Sequence, residues 1–406
     1  MASFYIVDDD PQILLVQRTL LERAGHQVWS STSSVTALTD VPAKQPDCVI
    51  VDIMMPELDG LALCQSLRDH KALAAAKFVV VSAKSYENDR RRAREIGVEA
   101  YFVKPIDPET FVQELERLLV SRMSGTYWGV RGTLPVPGKK SLRYGGNTSC
   151  MTLTLGSDEL FIFDAGSGIK ELSGHIRAQG KRRMSAKIFI SHPHWDHINA
   201  LPFFAPLYVP GNEFEILGPA ASERGIQELA AAQMDGVFFP ITMREFGAHV
   251  SFRDLGEESH SFGDAEVRTM LLNHPGRCLG YRVEFRGASV CYVTDNELIP
   301  PGTPGHNPAY VEQLADFVRG TDLLVTDSAY TDGEYAGKLG WGHSSVSQVA
   351  ELAHRAEVKT LHLFHHDPEQ TDDDIDAKLA TARDLLAELG SATECFAPAE
   401  GSSFQL

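Results

Sequence analysis

Apolar residues fall in short runs along this chain, and each run is closed by a residue that carries chemistry. Phe4-Tyr5-Ile6-Val7 leads into Asp8-Asp9-Asp10, and Val49-Ile50-Val51 leads into Asp52. Phe78-Val79-Val80-Val81 leads into Ser82, and Tyr101-Phe102-Val103 into Lys104-Pro105. Such runs predict buried strands. Helical stretches lie between them, and strand alternating with helix predicts a parallel sheet whose function gathers at the strands' carboxyl ends. The pattern then recurs. Ile188-Phe189-Ile190 precedes Ser191-His192-Pro193-His194-Trp195-Asp196-His197. Met270-Leu271-Leu272 precedes His274, Val290–Thr294 precedes Asp295, and Thr360–Phe364 precedes His365.

The 192–197 segment is the most informative of these. Three imidazoles and a carboxylate from so short a loop cannot easily serve one ion, but they can serve two neighbours. Imidazole with carboxylate suits Zn, Mn or Fe(II) better than Mg or Ca. Pro193 stiffens the loop. A two-ion site needs further ligands, and the three downstream strand ends supply the right types. His192, His194 and His274 form one set. Asp196, His197 and His365 form the other, with Asp295 bridging. His366 stands beside His365, and local sequence leaves the choice between them open.

Together these residues resemble the metallo-β-lactamase superfamily, over about residues 125–406. Tyr144-Gly145-Gly146-Asn147-Thr148-Ser149-Cys150 and Phe163-Asp164-Ala165-Gly166 are similar to the amino-terminal part of that fold. The resemblance implies a four-layer αβ/βα sandwich with a dinuclear site along one edge. It also implies that Asp164 orients a ligand histidine, fixing tautomer and ring direction. Local sequence alone equally allows a turn carboxylate.

Gly342-His343-Ser344-Ser345, followed by helical spacing and then the strand ending at His365, is similar to the ribonuclease Z and phosphodiesterase branch. There a Gly-His-Ser-Thr segment brings a histidine to the scissile phosphate; here Ser345 replaces Thr. Ser344 or Ser345 can cap a helix carrying Val346, Val349, Leu352, Ala353 and Ala356. The expected chemistry is phosphodiester hydrolysis. His343 is the expected general acid, since imidazole titrates near neutral pH. Asp196 is expected to accept the nucleophile's proton while remaining a ligand.

The amino-terminal run resembles the receiver domain of two-component response regulators, over about residues 1–121. Asp8 and Asp9 match its Mg-binding acids, which act together with Asp52, the match to the phosphoacceptor. Ser82 matches the switch hydroxyl, Lys104 the paired lysine and Tyr101 the switch aromatic. The resemblance implies a flavodoxin-like five-stranded parallel α/β sheet and a sensor histidine kinase or phosphotransfer protein as partner. Phosphorylation at Asp52 would regulate the second domain, through direct contact or through a homodimer. The same strands without phosphorylation would be a plain flavodoxin-like domain.

At 406 residues the chain suggests two cores. The helix expected over 111–122 and a linker at 122–126 divide a first domain, 1–121, from a second, 127–406. No run of roughly 18 apolar residues predicts a membrane span, and no leader pattern follows Met1. Six scattered cysteines read as reduced thiols, so a cytoplasmic protein is expected.

Charge bears on the substrate. The net formal charge is −18. Residues 1–124 carry 14 basic and 18 acidic groups, and the remainder 23 and 37. So acidic a second domain disfavours long nucleic acid and favours a small phosphodiester, such as a cyclic nucleotide. The ligand set also admits a lactonase, thioesterase or β-lactamase, or a metal-containing sensor module. The Gly342-His343 segment weighs against the first group, and the full ligand set against the last.

Overall fold

The structure is a computed structural model that describes residues 2–406 apart from 69, 74–75, 84–86, 120–122, 157–158, 181–182, 222 and 238. The chain divides into two compact units, Met1–Ser121 and Arg122–Leu406.

In the first unit five parallel strands run β1 (Ser3–Val7), β2 (Gln27–Ser31), β3 (Cys48–Val51), β4 (Lys77–Ser82) and β5 (Ala100–Val103). Their order in the sheet is β2-β1-β3-β4-β5. Helices cover both faces, so alternate side chains of one strand enter different cores. Tyr5, Val49 and Phe78 pack with Ala37, Val41, Leu63 and Leu67. Phe4, Ile50 and Val79 pack with Leu14, Leu21, Phe111 and Leu115. Asp10 caps the helix Pro11–Arg23, its carboxylate accepting from the Gln12 N–H at 2.8 Å. That duty leaves Asp8 and Asp9 to gather with Asp52.

The second unit holds two seven-stranded sheets. The first comprises β6 (Met123–Gly129), β7 (Cys150–Leu155), β8 (Glu159–Phe163), β9 (Ser185–Phe189), β10 (Glu213–Pro219) and β11 (His249–Leu255), closed by β19 (Ser403–Gln405) beside β6. The second comprises β12 (Ser259–Phe262), β13 (Ala265–Leu272), β14 (Cys278–Phe285), β15 (Ala288–Val293), β16 (Leu323–Asp327), β17 (Thr360–Phe364) and β18 (Glu394–Phe396). The inner faces meet in one core that joins Phe161, Phe163 and Phe189 to Val267, Tyr281, Tyr292 and Phe364. Helices cover both outer faces. The result is the expected four-layer αβ/βα sandwich.

One boundary expectation is corrected. Met123–Thr126, expected as part of a linker, opens β6 and pairs with both β7 and β19. Its small polar residues hide a strand whose alternate positions Met123, Gly125 and Tyr127 face inward. A Cβ at Gly125 would collide with the Phe404 ring, which explains the glycine. The helix before it runs Pro108–Leu119, and 120–122 lie outside the described residues.

Candidate metal centre

The strand ends of the two sheets converge on one edge of the second unit. His192, His194, His274 and Asp295 bring ligand atoms within 4.8 Å of one another, and so do Asp196, His197, Asp295 and His365. Asp295 belongs to both groups and divides its oxygens between them. Its Oδ2 lies 3.5 Å from His192 Nε2 and 3.7 Å from His274 Nε2. Its Oδ1 lies 3.2 Å from His197 Nε2 and 3.1 Å from His365 Nε2. Asp196 Oδ2 closes the second group, 3.2 Å from both His197 Nε2 and His365 Nε2. His366 is turned the other way, its Nδ1 3.0 Å from the buried Lys378 Nζ. Of the two neighbours, His365 is the one that faces the cluster.

The donor set fits two divalent cations. His192 Nε2 is buried with no hydrogen-bond partner. His194 Nδ1 and His274 Nε2 approach to 3.1 Å, and His197 Nε2 and His365 Nε2 to 3.2 Å. Each such nitrogen pair can share only one proton, whereas a cation takes both lone pairs. Buried carboxylates facing buried imidazoles also want a compensating charge.

The backbone is bent to make this convergence. Asp164, Asp295 and His365 have φ of 59°, 48° and 58°, and all three follow strands. Left-handed backbone in non-glycine residues concentrates at sites where the fold over-determines geometry. Two glycines leave room for ligand rings. A Cβ on Gly342 would fall 2.3 Å from His274 Nδ1, and one on Gly132 would fall 2.3 Å from His365 Cε1.

A layer of hydrogen bonds then orients the ligands. Asp164 Oδ2 lies 2.8 Å from His197 Nδ1 and accepts from the Tyr292 hydroxyl at 2.8 Å. Asp164 Oδ1 accepts from the Ser191 N–H at 2.7 Å. His274 Nδ1 lies 2.9 Å from the Gly342 carbonyl, which fixes the proton on Nδ1 and turns Nε2 to the cluster. The Glu297 carboxylate accepts from the N–H groups of Gly340 and Gly342 and holds that loop in place. The Thr133 N–H donates to Asp196 Oδ2 at 2.7 Å.

Electrostatics follow the geometry. Burial, reinforced by the neighbouring imidazoles, holds His192 well below the ordinary imidazole range. Burial likewise lowers His194 and His274, despite the opposing Asp295. These three are thus neutral, as ligands must be. Burial would raise Asp196, but His197 and His365 outweigh it and hold the carboxyl far below its usual range.

His343 joins the cluster from the side. Its ring stacks on His365 at 5.1 Å and lies 5.2 Å from His274. Its Nδ1 is 2.7 Å from Asp327 Oδ2. Burial would lower this imidazole; the Asp327 carboxylate outweighs it and pushes the pKa up to about 9. Asp327 was not anticipated among the site residues. Its signal was present, since Leu323-Leu324-Val325-Thr326 is another apolar run ending in an acid. Ser345 is the residue that opens the helix Val346–Arg355, its N–H donating to Gln348 Oε1 at 2.8 Å. Ser344 instead donates to the Asn296 carbonyl.

In the first unit Asp8, Asp9 and Asp52 gather at the ends of β1 and β3. Lys104 Nζ lies 2.7 Å from Asp8 Oδ2 and 3.2 Å from Asp52 Oδ1. Burial would lower Lys104, but these two carboxylates raise it. Burial raises Asp8 against the opposing effect of Lys104. Ser82 is buried at the end of β4, and Tyr101 on β5 shares a hydrogen bond with it.

The model of the beta-lactamase superfamily domain matches residues 161–366, about half of the chain. The chain belongs to this superfamily. A response regulator receiver domain precedes the superfamily domain, matched over residues 4–116. Within that part the transcriptional regulatory protein GltR of Pseudomonas aeruginosa is 33% identical over 117 residues, 29% of this chain and 48% of GltR. Protein PilH of the same organism is 30% identical over 119 residues, 29% of this chain and 98% of PilH. The chain thus spans about half the length of GltR and nearly all of PilH. The superfamily domain has the fold of YhfI, a metallo-beta-lactamase fold protein from Bacillus subtilis, with a TM-score of 0.51 and 16% identity. That alignment covers 70% of this chain and 99% of YhfI.

Proposed function

We propose that this protein is a response regulator whose output domain hydrolyses a small phosphodiester, a cyclic nucleotide being one candidate, at a two-metal centre controlled by phosphorylation of Asp52. The observation that carries the phosphodiester reading is His343 beside both ligand groups, its Nδ1 2.7 Å from Asp327. Cleaving a P–O ester bond leaves an alkoxide that needs a proton. Lactone and β-lactam opening also leave an anion that needs a proton, so the preference for a diester rests on where this histidine stands, in Gly342-His343-Ser344-Ser345 before the helix and strand that lead to His365.

His192, His194 and His274 would hold one ion, and Asp196, His197 and His365 the other, with Asp295 shared. Zn fits these donors, with Mn or Fe as alternatives. Bound there, such ions supply Lewis acidity toward phosphoryl oxygens and a nucleophile at neutral pH. Asp164 keeps His197 in one tautomer. Asp196, held ionised, accepts the proton of the attacking water. His343 carries its proton at neutral pH and commits Nδ1 to Asp327, so Nε2 delivers the proton to the leaving oxygen.

In the receiver domain Asp8, Asp9 and Asp52 would hold Mg. A sensor histidine kinase or phosphotransfer protein would phosphorylate Asp52. The added phosphoryl group would engage Lys104 and Ser82 and draw Tyr101 with it, which changes the surface available for pairing two chains. Among the described residues no helix is long and apolar enough to cross a membrane. A cytoplasmic site of action fits six free, buried cysteines.

The test is a panel of p-nitrophenyl phosphodiesters, lactones, thioesters and nitrocefin, each with Zn or Mn. The reading expects turnover of the diesters alone. Turnover confined to another class, or silence on all classes with metal bound, would overturn it.

A further inference from the structure

Beside the first ligand group lies a cleft of about 430 Å³, bounded by His192, His194, Pro193 and Pro275 and by two arginines, Arg224 and Arg277. Among the described residues no acidic side chain lines it. Residues 125–406 as a whole carry 37 acidic groups against 23 basic ones, so this positive lining runs against the balance of the unit. Both arginines are exposed, and among the described residues neither guanidinium forms an ion pair. Two uncompensated cations at the mouth of an acidic domain's metal centre call for an anionic occupant.

Their backbones are anchored. Ala221 and Arg224 exchange two backbone hydrogen bonds of 2.9 Å, and the Ile226 N–H two residues on is held by Asp254 at 2.7 Å. Arg277 directly precedes Cys278, whose Sγ is 3.6 Å from His192 Nδ1. The next residue, Leu279, donates its N–H to the Ser191 carbonyl at 2.9 Å. Both guanidiniums therefore rise from chain tied to the ligand-bearing sheets, and only the side chains must order on binding.

We propose that Arg224 and Arg277 form a subsite for a second phosphate, so that the substrate is a small phosphodiester carrying an additional phosphate group on the arm that occupies this cleft. The proposal rests on the phosphodiesterase reading and narrows its substrate class. Guanidinium pairs phosphate oxygens bidentately, with geometric selectivity a lysine lacks. The arginines are open to water, so the preference falls with ionic strength.

Two matched comparisons test it on the full chain. Calorimetric titration, metal-free and metal-loaded, compares adenosine 3′,5′-bisphosphate with adenosine 5′-monophosphate. Turnover compares the p-nitrophenyl ester of thymidine 5′-phosphate with and without a 3′-phosphate. Wild type should bind the bisphosphate about tenfold more tightly and favour the phosphorylated ester by a similar kcat/KM ratio. In Arg224→Gln/Arg277→Gln both ratios should fall toward one. Both positions are exposed, so the double variant should keep its fold, checked by circular dichroism. Equal binding by wild type, or a preference that survives the double substitution, would overturn the subsite. Turnover of both esters at one rate would leave the phosphodiesterase reading standing alone. A tenfold binding preference without any diester turnover would keep the subsite and remove that reading.

Discussion

The candidate metal centre and the receiver pocket both sit at the carboxyl ends of strands, yet the first sets site residues on left-handed backbone and the second does not. Asp164, Asp295 and His365 all take positive φ, each costing of order 1–3 kcal/mol. Gly132 and Gly342 give way to ligand rings. In the receiver none of Asp8, Asp9, Asp52, Ser82 or Lys104 has positive φ. Their contacts are ion pairs and hydrogen bonds that a phosphoryl group can rearrange. The lesson is one of tolerance. A site built to hold cations at fixed spacing would be over-determined, whereas a switch must have a second arrangement within reach.

Each site also has a lysine nearby, and the two are opposites. Lys104 is raised, because Asp8 and Asp52 outweigh its burial. Lys378, fully buried, is lowered to about 7 by burial, with the Ser328 and Ala329 carbonyls 2.6 and 3.2 Å from Nζ. It lies under the metal centre through His366.

The sharpest way to break this contrast is at His343. His343→Ala should lower turnover of diesters with poor leaving groups by roughly 10²–10⁴-fold. Metal content, measured by plasma mass spectrometry, should stay the same, and p-nitrophenyl esters should suffer less. Equal losses on both kinds of ester would remove the general-acid role. Next in size is the orienting layer. Asp164→Asn should weaken metal affinity or activity by about 10–100-fold without removing any ligand; a competitive chelator titration reads the change, and unaltered affinity would mean His197 needs no orienting partner.

The receiver side should respond more gently. Acetyl phosphate should change turnover by about fivefold or more, or alter the mass by light scattering, in wild type and not in Asp52→Asn. No change in either quantity, with Asp52 shown to be modified, would uncouple the two units.

The smallest effect concerns Lys378. Its folded pKa, about 7, lies below the unfolded value of about 10.4. Between these values the unfolded chain binds more protons, so this group's contribution to stability grows as pH rises from 7 to 10. Lys104 has the opposite sign, its contribution being lost only as pH rises through its own raised pKa. The melting temperature of Lys378→Met relative to wild type should therefore fall by a few degrees from pH 6.5 to 10. A constant difference would show that Lys378 does not titrate in that window.

Much of both sites was legible because apolar runs ended in ligand types, and one rule located Asp52, His192, His274, Asp295 and His365 together. Asp327 ended such a run too, but its pairing with His343, 16 residues on, is made by the fold and has no local signature. His365 and His366 could not be told apart, since the positive φ at His365 overrides the alternation that would have assigned faces. Met123–Thr126 read as a connector because its pairing partner β19 lies at the far end of the chain, and Ser-Gly-Thr carries no strand signal of its own. Arg131, buried and held by the Gly145 and Gln370 carbonyls, likewise depends on contacts far apart in sequence.

The central claim is that two cations held by His192, His194, Asp196, His197, His274, Asp295 and His365 make this chain a phosphodiesterase. Titrating Zn or Mn into chelator-stripped protein while following bis(p-nitrophenyl) phosphate hydrolysis tests it most directly. The account predicts no turnover without metal and a rate that saturates at two ions per chain. Metal uptake to that stoichiometry with no diester cleaved, or cleavage that ignores the metal, would contradict it.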